Sequence, residues 1–128
     1  MIYEIARFLS ALILKIPFRF EITGREVFPL RQPFILASNH ISNLDPIVLG
    51  VACPAPLYYL AKEELFKQKL FGHFLKAINV IPVKRDKADM QSVRIALKVL
   101  ETRSIVIFPQ GTRGAPYDNF KAGVGFFS

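Results

Sequence analysis

The stretch "SNHISNLDP", residues 38–46, places polar side chains between two apolar runs, and His40 in it precedes Asp45 by five residues. In one continuous helix these two side chains would point about 140° apart, but a strand-to-helix turn can bring them together. A carboxylate that accepts the imidazole N–H fixes the tautomer, so that the other ring nitrogen can act as a general base. The alternative is that Asp45 only caps the next helix and that His40 is an ordinary turn residue.

Two further turns contain basic residues and directly follow apolar, strand-like segments: "PVKRD" at 82–86 and "FPQGTRG" at 108–114. Glycines in the second turn let the backbone approach a ligand, and its arginine can bind a phosphate through two hydrogen bonds. Ligand sites of open α/β sheets lie at the carboxyl ends of the strands. We therefore predict that both turns and His40 form one composite site. Three ordinary solvated loops are the alternative.

No protein nucleophile accompanies the candidate base. Cys53 lies in apolar "VLGVACPAP" without a basic neighbour, so we interpret it as a small buried hydrophobic residue. A serine hydrolase would need a G-x-S-x-G elbow, which the sequence lacks. A base without a nucleophile suggests that the substrate supplies the attacking hydroxyl.

The elements that must position these residues alternate between strands and helices, which predicts an α/β fold. We predict strands at 18–24, 33–38, 78–83 and 104–109. We predict helices at 62–77 and 89–103 and a short helix from Pro46, with Asp45 and Asp89 as N-caps. In the helix at 89–103, the sequence places Val93, Leu97 and Leu100 on one face.

Residues 2–16 form an apolar helix pattern with a narrow polar stripe, too short for a membrane span of about 20 residues. One interpretation is a helix in a membrane interface, with Lys15 and Arg19 directed toward the headgroups. The other is a helix packed on the domain core. The predicted division is a membrane-associating helix at 1–17 and one domain at 18–128.

Composition limits the partners. The net charge of +7 favours an anionic partner, which can be nucleic acid, lipid headgroups or a phosphorylated substrate. The sequence has no RNP-type aromatic pattern, zinc ligand set or recognition helix, so nucleic acid is not expected. The single cysteine fits a reducing compartment. The sequence ends at Ser128 in what looks like the start of a helix, so we expect the domain to continue beyond it.

The segments "NHISNLD", "INVIPVKR" and "FPQGTRG", in this order and at this spacing, resemble the first three sequence blocks of the glycerolipid acyltransferases, the 1-acylglycerol-3-phosphate acyltransferases and their relatives. "AKEELF" and "FKAG" are also similar to family sequence, and the resemblance covers roughly residues 20–125. It implies an α/β domain with a mixed sheet, held at a membrane by N-terminal helices.

The resemblance implies that His40 is the general base and that Asp45 orients it. The residues implied to bind a phosphate-bearing acceptor are Arg85, Gln110, Gly111, Thr112 and Arg113. The implied reaction transfers a fatty acyl group from acyl-CoA or acyl-carrier protein to lysophosphatidate, giving phosphatidate. No cofactor or metal is implied, and the protein would act on the cytoplasmic face of a membrane.

Three departures from the family pattern bear on these expectations. Gln110 stands where the family usually has Glu, and Asn79 where it usually has Gly. Asn is the best substitute for Gly if position 79 needs a positive φ. The fourth block of the family is absent. Two alternatives therefore stay open: another lyso-lipid or glycerol phosphate as acceptor, and a lipid-binding relative without catalytic activity.

Overall fold

A computed structural model describes residues 1–84 and 90–109, apart from the side chains of residues 91 and 92. In these ranges the chain forms four α-helices and four β-strands, which alternate along the sequence. The helices are α1 (Ile2–Lys15), α2 (Asp45–Ala52), α3 (Lys69–Ala77) and α4 (Met90–Leu100). The strands are β1 (Ile35–Ala37), β2 (Leu57–Lys62), β3 (Val80–Val83) and β4 (Ser104–Ile107).

The four strands form one sheet in the order β1-β4-β2-β3, and each described pairing is parallel. The expected α/β class is confirmed, but the prediction of a mixed sheet is wrong for the described residues. The physical reason is the connectivity: α2, α3 and α4 each separate two successive strands. A helix that returns the chain to the starting edge makes the next strand run in the same direction.

The core lies where α2 and β4 pack around the central strand β2. Cys53 and Leu57 have no exposed surface, and Tyr59 and Val106 are almost fully buried beside them. Burial raises the pKa of the Cys53 thiol, which disfavours the reactive thiolate. Cys53 is therefore part of the core, as the sequence predicts.

Residues 18–24, predicted as a strand, form none. The segment pairs with no described strand, and the Phe20 N–H bonds instead to the Phe18 carbonyl, 2.8 Å away. Gly24 then adopts a positive φ of 79° and leads into a 3₁₀ turn at Arg25–Val27. The apolar alternation reflects packing beneath α1, because Phe20 and Ile22 are half-buried there while their neighbours are exposed.

The predicted helix at 62–77 is correct only in its second half. Residues Leu57–Lys62 form the strand β2, which the sequence analysis missed, and Glu63–Phe66 form a 3₁₀ turn. Gln68 is extended (φ −78°, ψ 113°) and separates this turn from α3. A side chain at Gly72 would place its Cβ 2.7 Å from the Phe66 carbonyl oxygen, so the turn packs directly on the α3 backbone.

The buried face of α4 differs from the predicted one. Val93 and Ala96 face the core, whereas Leu97 is 47% exposed. The face repeats at the i, i+3 spacing of an α-helix, which places Leu97 beside the core-facing stripe instead of within it. The predicted cap Asp89 lies outside the described residues.

One side of α1 packs on the domain. The Tyr3 hydroxyl accepts a hydrogen bond from the Leu57 N–H (3.1 Å), Arg7 donates to the Pro54 carbonyl (3.2 Å), and Leu14 is buried. The opposite side is apolar and exposed, through Ile2, Ile5, Phe8, Leu9, Leu12, Ile13 and the adjacent Ile16. Within the described ranges, no helix is long and apolar enough to span a membrane.

Asn79 has a φ of 65°, the only positive φ of a non-glycine residue in the part of the chain that the structure describes. The turn between α3 and β3 imposes this value, and the Asn79 carbonyl accepts the Tyr59 N–H at 3.0 Å. The condition named in the sequence analysis is therefore met: position 79 has a positive φ, which asparagine tolerates better than other residues except glycine.

This geometry predicts the effects of two substitutions at position 79. Asn79→Ala should lower the free energy of unfolding by roughly 1 kcal/mol, because alanine tolerates the left-handed region less well than asparagine. Asn79→Gly should leave it unchanged or raise it slightly. Urea denaturation of both variants, with Gln32→Ala as an exposed control, measures the effect. Equal stability of Asn79→Ala and the wild type would contradict it.

Candidate active site

His40 and Asp45 meet at the carboxyl end of β1. The imidazole Nδ1 lies 2.9 Å from the carboxylate Oδ2, and the two side chains are 18% and 24% exposed. The predicted pairing of these side chains is therefore confirmed. With Nδ1 donating to the carboxylate, Nε2 is the ring nitrogen that can accept a proton.

The polar stretch "SNHISNLDP" holds this pair together through its own backbone. The Asp45 Oδ2 accepts the N–H groups of Ile41 (2.7 Å) and Ser42 (2.8 Å) as well as the imidazole. The Ser42 hydroxyl accepts the Leu44 N–H at 3.1 Å, and the Ser42 carbonyl accepts the Asp45 N–H at 3.3 Å. Each of these bonds satisfies a backbone group that a tight turn leaves without a partner.

The predicted N-cap role of Asp45 is wrong. Leu44 occupies the cap position with helical dihedral angles and no side-chain cap bond, and Asp45 is the first residue of α2. Side chains tilt toward the N-terminus of their helix, so the Asp45 carboxylate points back into the preceding turn. It bonds the turn and His40 instead of the first helical N–H groups. Pro46, predicted as the first residue of this helix, is its second residue and still lies in the first turn of α2.

The first turn of α2 is fixed to the sheet by Tyr59. The Tyr59 hydroxyl, on the central strand β2, donates to the Pro46 carbonyl at 2.9 Å. A Cβ at Gly50 would lie only 3.1 Å from this hydroxyl, so glycine lets the tyrosine cross the helix closely. Burial raises the pKa of Tyr59 and keeps its hydroxyl a donor. The position of Asp45 relative to the strands follows from this bond.

Phe108 packs against one face of the imidazole. The ring centroids of His40 and Phe108 are 4.2 Å apart, and the rings are within 22° of parallel. The pairing of Ala37 with Ile107 and the bond from the Ser38 N–H to the Ile107 carbonyl (3.1 Å) place the two residues side by side. Sequence analysis missed this contact, because β1 and β4 are neighbours in the sheet but far apart in sequence.

Hydrogen bonding favours the ionised form of Asp45. Burial alone would raise the pKa of its carboxyl, but the bonds donated by Ser42, His40 and Ile41 lower it below its ordinary value. The carboxylate is therefore charged at neutral pH and can stabilise an imidazolium at His40. In the described residues, no three His, Cys, Asp or Glu side chains converge as metal ligands would.

The carboxyl ends of β1, β3 and β4 lie at one edge of the sheet, because the strands are parallel. This edge is where the sequence places the base and the two basic turns. β1 and β3 are the outer strands, about 14 Å apart at the usual strand spacing. The predicted acceptor-binding residues lie outside the described ranges, and their roles stay predictions: Arg85, Gln110, Gly111, Thr112 and Arg113.

The lowered pKa of Asp45 predicts a pH-dependent contribution to stability. A group whose pKa is lower in the folded state stabilises the fold above its unfolded pKa and loses this contribution as the pH falls through its folded pKa. We expect the stability difference between wild type and Asp45→Asn to be largest at neutral pH and to shrink below about pH 4. Urea denaturation across this range measures it, with Glu26→Gln as an exposed control. A pH-independent difference would contradict the assignment.

Residues 19–128 match the family model described as Acyltransferase. A 1-acyl-sn-glycerol-3-phosphate acyltransferase of Bacillus subtilis (strain 168) is 39% identical over 95 residues, which are 73% of this chain and 48% of that protein. The protein of that name from Borreliella burgdorferi is 36% identical over 80% of this chain and 43% of its own length. The human 1-acyl-sn-glycerol-3-phosphate acyltransferase alpha is 31% identical over 74% of this chain and 34% of its own length.

The chain thus spans about half the length, or less, of the curated relatives it matches. No solved structure shows a significant match. The family model covers the strands, the His40–Asp45 pair and both basic turns. Taken with the likeness to the bacterial and human proteins, this match shows that the chain belongs to the acyltransferase family.

Proposed function

We propose that this protein transfers a fatty acyl group from an acyl thioester to the free hydroxyl of lysophosphatidate, giving phosphatidate. The observation that supports this most directly is the 2.9 Å contact of His40 with Asp45 at the carboxyl edge of the sheet. The acyltransferase family match and the names of the similar proteins supply the substrate class. The acyl donor is acyl-CoA or acyl-carrier protein.

The proposed chemistry is direct transfer with His40 as the base. Nε2 removes the proton from the acceptor hydroxyl while the oxygen attacks the thioester carbonyl carbon. The tetrahedral intermediate collapses, the C–S bond breaks, and the imidazolium returns its proton to the departing thiolate. The products are the acylated acceptor and a free thiol. Asp45 stabilises the imidazolium throughout, and the face of Phe108 adds a smaller attraction to the charged ring.

The acceptor is held through its phosphate. Arg85 and Arg113 are the proposed cationic contacts, with Gly111 and Thr112 supplying close backbone approach and a hydroxyl donor. Gln110 in place of Glu removes one negative charge from this group, which favours a dianionic phosphate over a neutral headgroup. Binding the phosphate fixes the hydroxyl near His40 and makes the attack effectively intramolecular.

The proposed setting is the cytoplasmic face of a membrane. The exposed apolar side of α1 and the net charge of +7 together support an interface between acyl chains and anionic headgroups. Both substrates carry fatty acyl chains. An enzyme that lies on the membrane surface meets the lysophosphatidate there and releases phosphatidate into the same layer.

The proposed function predicts the activity of a matched pair of histidine variants. His40→Ala should lower kcat by about 10²–10⁴-fold, because a positioned general base contributes that much, while KM for lysophosphatidate changes little. His73→Ala is the control, because His73 is exposed on α3 and its Nδ1 contacts only the Lys69 carbonyl among the described residues. Acyl transfer to lysophosphatidate, glycerol 3-phosphate and a phosphate-free lyso-lipid is measured side by side.

The acceptor panel also separates the alternatives. Activity with glycerol 3-phosphate but not lysophosphatidate would make the protein a different O-acyltransferase. Wild-type turnover in His40→Ala would refute the mechanism. No transfer to any acceptor by the wild type, together with retained binding of lysophosphatidate, would identify a lipid-binding relative without catalytic activity.

The stacking of Phe108 on His40 predicts a second kinetic effect. Phe108→Leu removes the aromatic face and should lower kcat by roughly 2- to 30-fold, with a smaller change in KM. Phe108→Tyr keeps the face and should retain most of the activity. If both variants lose activity equally, or if KM changes more than kcat, Phe108 only fills space at the end of β4. Circular dichroism confirms that both variants fold.

A further inference from the structure

A cavity lies away from the His40–Asp45 pair. It is a half-open groove of about 480 Å³ between α1, the segment beneath it and the last turn of α2. Its walls combine three cations, Arg7, Lys15 and Arg25, with apolar side chains, of which Phe8, Phe20 and Ile22 are the largest. The groove is separate from the catalytic edge, because Asp45 begins α2 and the groove residue Val51 lies six residues later, roughly 9 Å along the axis.

The groove has an excess of positive charge. Its one acid, Glu4, lies 3.6 Å from Arg7, but both side chains are substantially exposed, so the pair is weak. Arg7 and Arg25 each donate one bond to a backbone carbonyl, Pro54 and Val51 respectively. A guanidinium has five N–H donors, so most of them remain for an anion. Lys15 is exposed and forms no ion pair within the described ranges.

The groove also adjoins the exposed apolar side of α1. Arg7, Ala11 and Lys15 are spaced by four residues and line the groove along about 12 Å of the helix. Phe8 belongs to both features: it lines the groove and is 69% exposed on the apolar side. When that side contacts the acyl region of a bilayer, the cations of the groove lie at the level of the headgroups.

We propose that this groove binds one anionic phospholipid of the membrane, with the lipid phosphate held by Arg7, Lys15 and Arg25. An acyl chain of the lipid would lie over Phe8 and along the apolar side of α1. The presence of both cations and aromatic side chains favours a bilayer lipid over a free anion. A free anion would contact only the cations, whereas a lipid also contacts Phe8 and Phe20. The groove then sets how the domain is oriented on an anionic membrane. This proposal rests on the proposed membrane setting but not on the proposed acyl transfer.

The test compares binding of the purified chain to vesicles of phosphatidylcholine alone and of phosphatidylcholine mixed with phosphatidylglycerol. Lys15→Gln should reduce the preference for the anionic vesicles by roughly five-fold. Lys98→Gln, an exposed lysine on α4, makes the same change in net charge and should have no effect. Ala11→Leu fills the groove without changing the charge and should also reduce the preference.

The variants distinguish a groove from general attraction to a charged surface. Loss of preference in Lys15→Gln but not in Ala11→Leu, or an equal loss in Lys98→Gln, would overturn the proposal. A soluble short-chain phosphatidylglycerol and inorganic phosphate are then compared by calorimetry. Equal affinity for both would reduce the site to a simple anion site and overturn the lipid assignment.

A catalytic variant keeps the two proposals independent. His40→Ala should bind both kinds of vesicle like the wild type, because the imidazole is not part of the groove. An active enzyme with no preference for anionic vesicles would refute the groove alone. A groove that binds lipid in a chain without transfer activity would leave the inference standing and refute the proposed reaction.

Discussion

The candidate site depends on the hydrogen bonds that the Asp45 carboxylate accepts. One oxygen, Oδ2, accepts the imidazole of His40 and two backbone N–H groups of the preceding turn. The same contacts that orient His40 therefore also fold the loop that carries it. Hydrogen bonding lowers the pKa of this carboxyl more than partial burial raises it, so the carboxylate stays charged at neutral pH. Removing it would affect the geometry of the loop and the chemistry of the base together.

The parallel sheet supplies the second constraint. Because three helices return the chain to the same edge, the segments that follow β1, β3 and β4 begin on one side of the molecule. β4 lies between β1 and β2 although it is the last of the four strands, and this insertion puts Phe108 beside His40. Because the connecting helices make the strands parallel, the site combines residues that are distant in sequence.

The sequence was sufficient where local chemistry decides the structure. The pairing of His40 with Asp45 and the burial of Cys53 both follow from residue type and immediate neighbours. The sequence was insufficient where the pairing of strands in the sheet decides the structure. β2 was missed because "PLYYLA" has no clear periodicity of its own and is a strand through its two neighbours. The segment 18–24 has the alternation of a strand but pairs with none of the described strands.

The buried thiol of Cys53 is a natural probe of local opening in this protein. This residue, the single cysteine of the chain, has no exposed surface and lies at the end of α2 beside Tyr59. Separation of α2 from β2 would expose it to a thiol reagent, so the labelling rate reports on such an opening. The same separation would release the first turn of α2 from Tyr59 and disturb the carboxylate beneath His40. Slow labelling would therefore be a direct physical measure of how rigidly the His40–Asp45 pair is held.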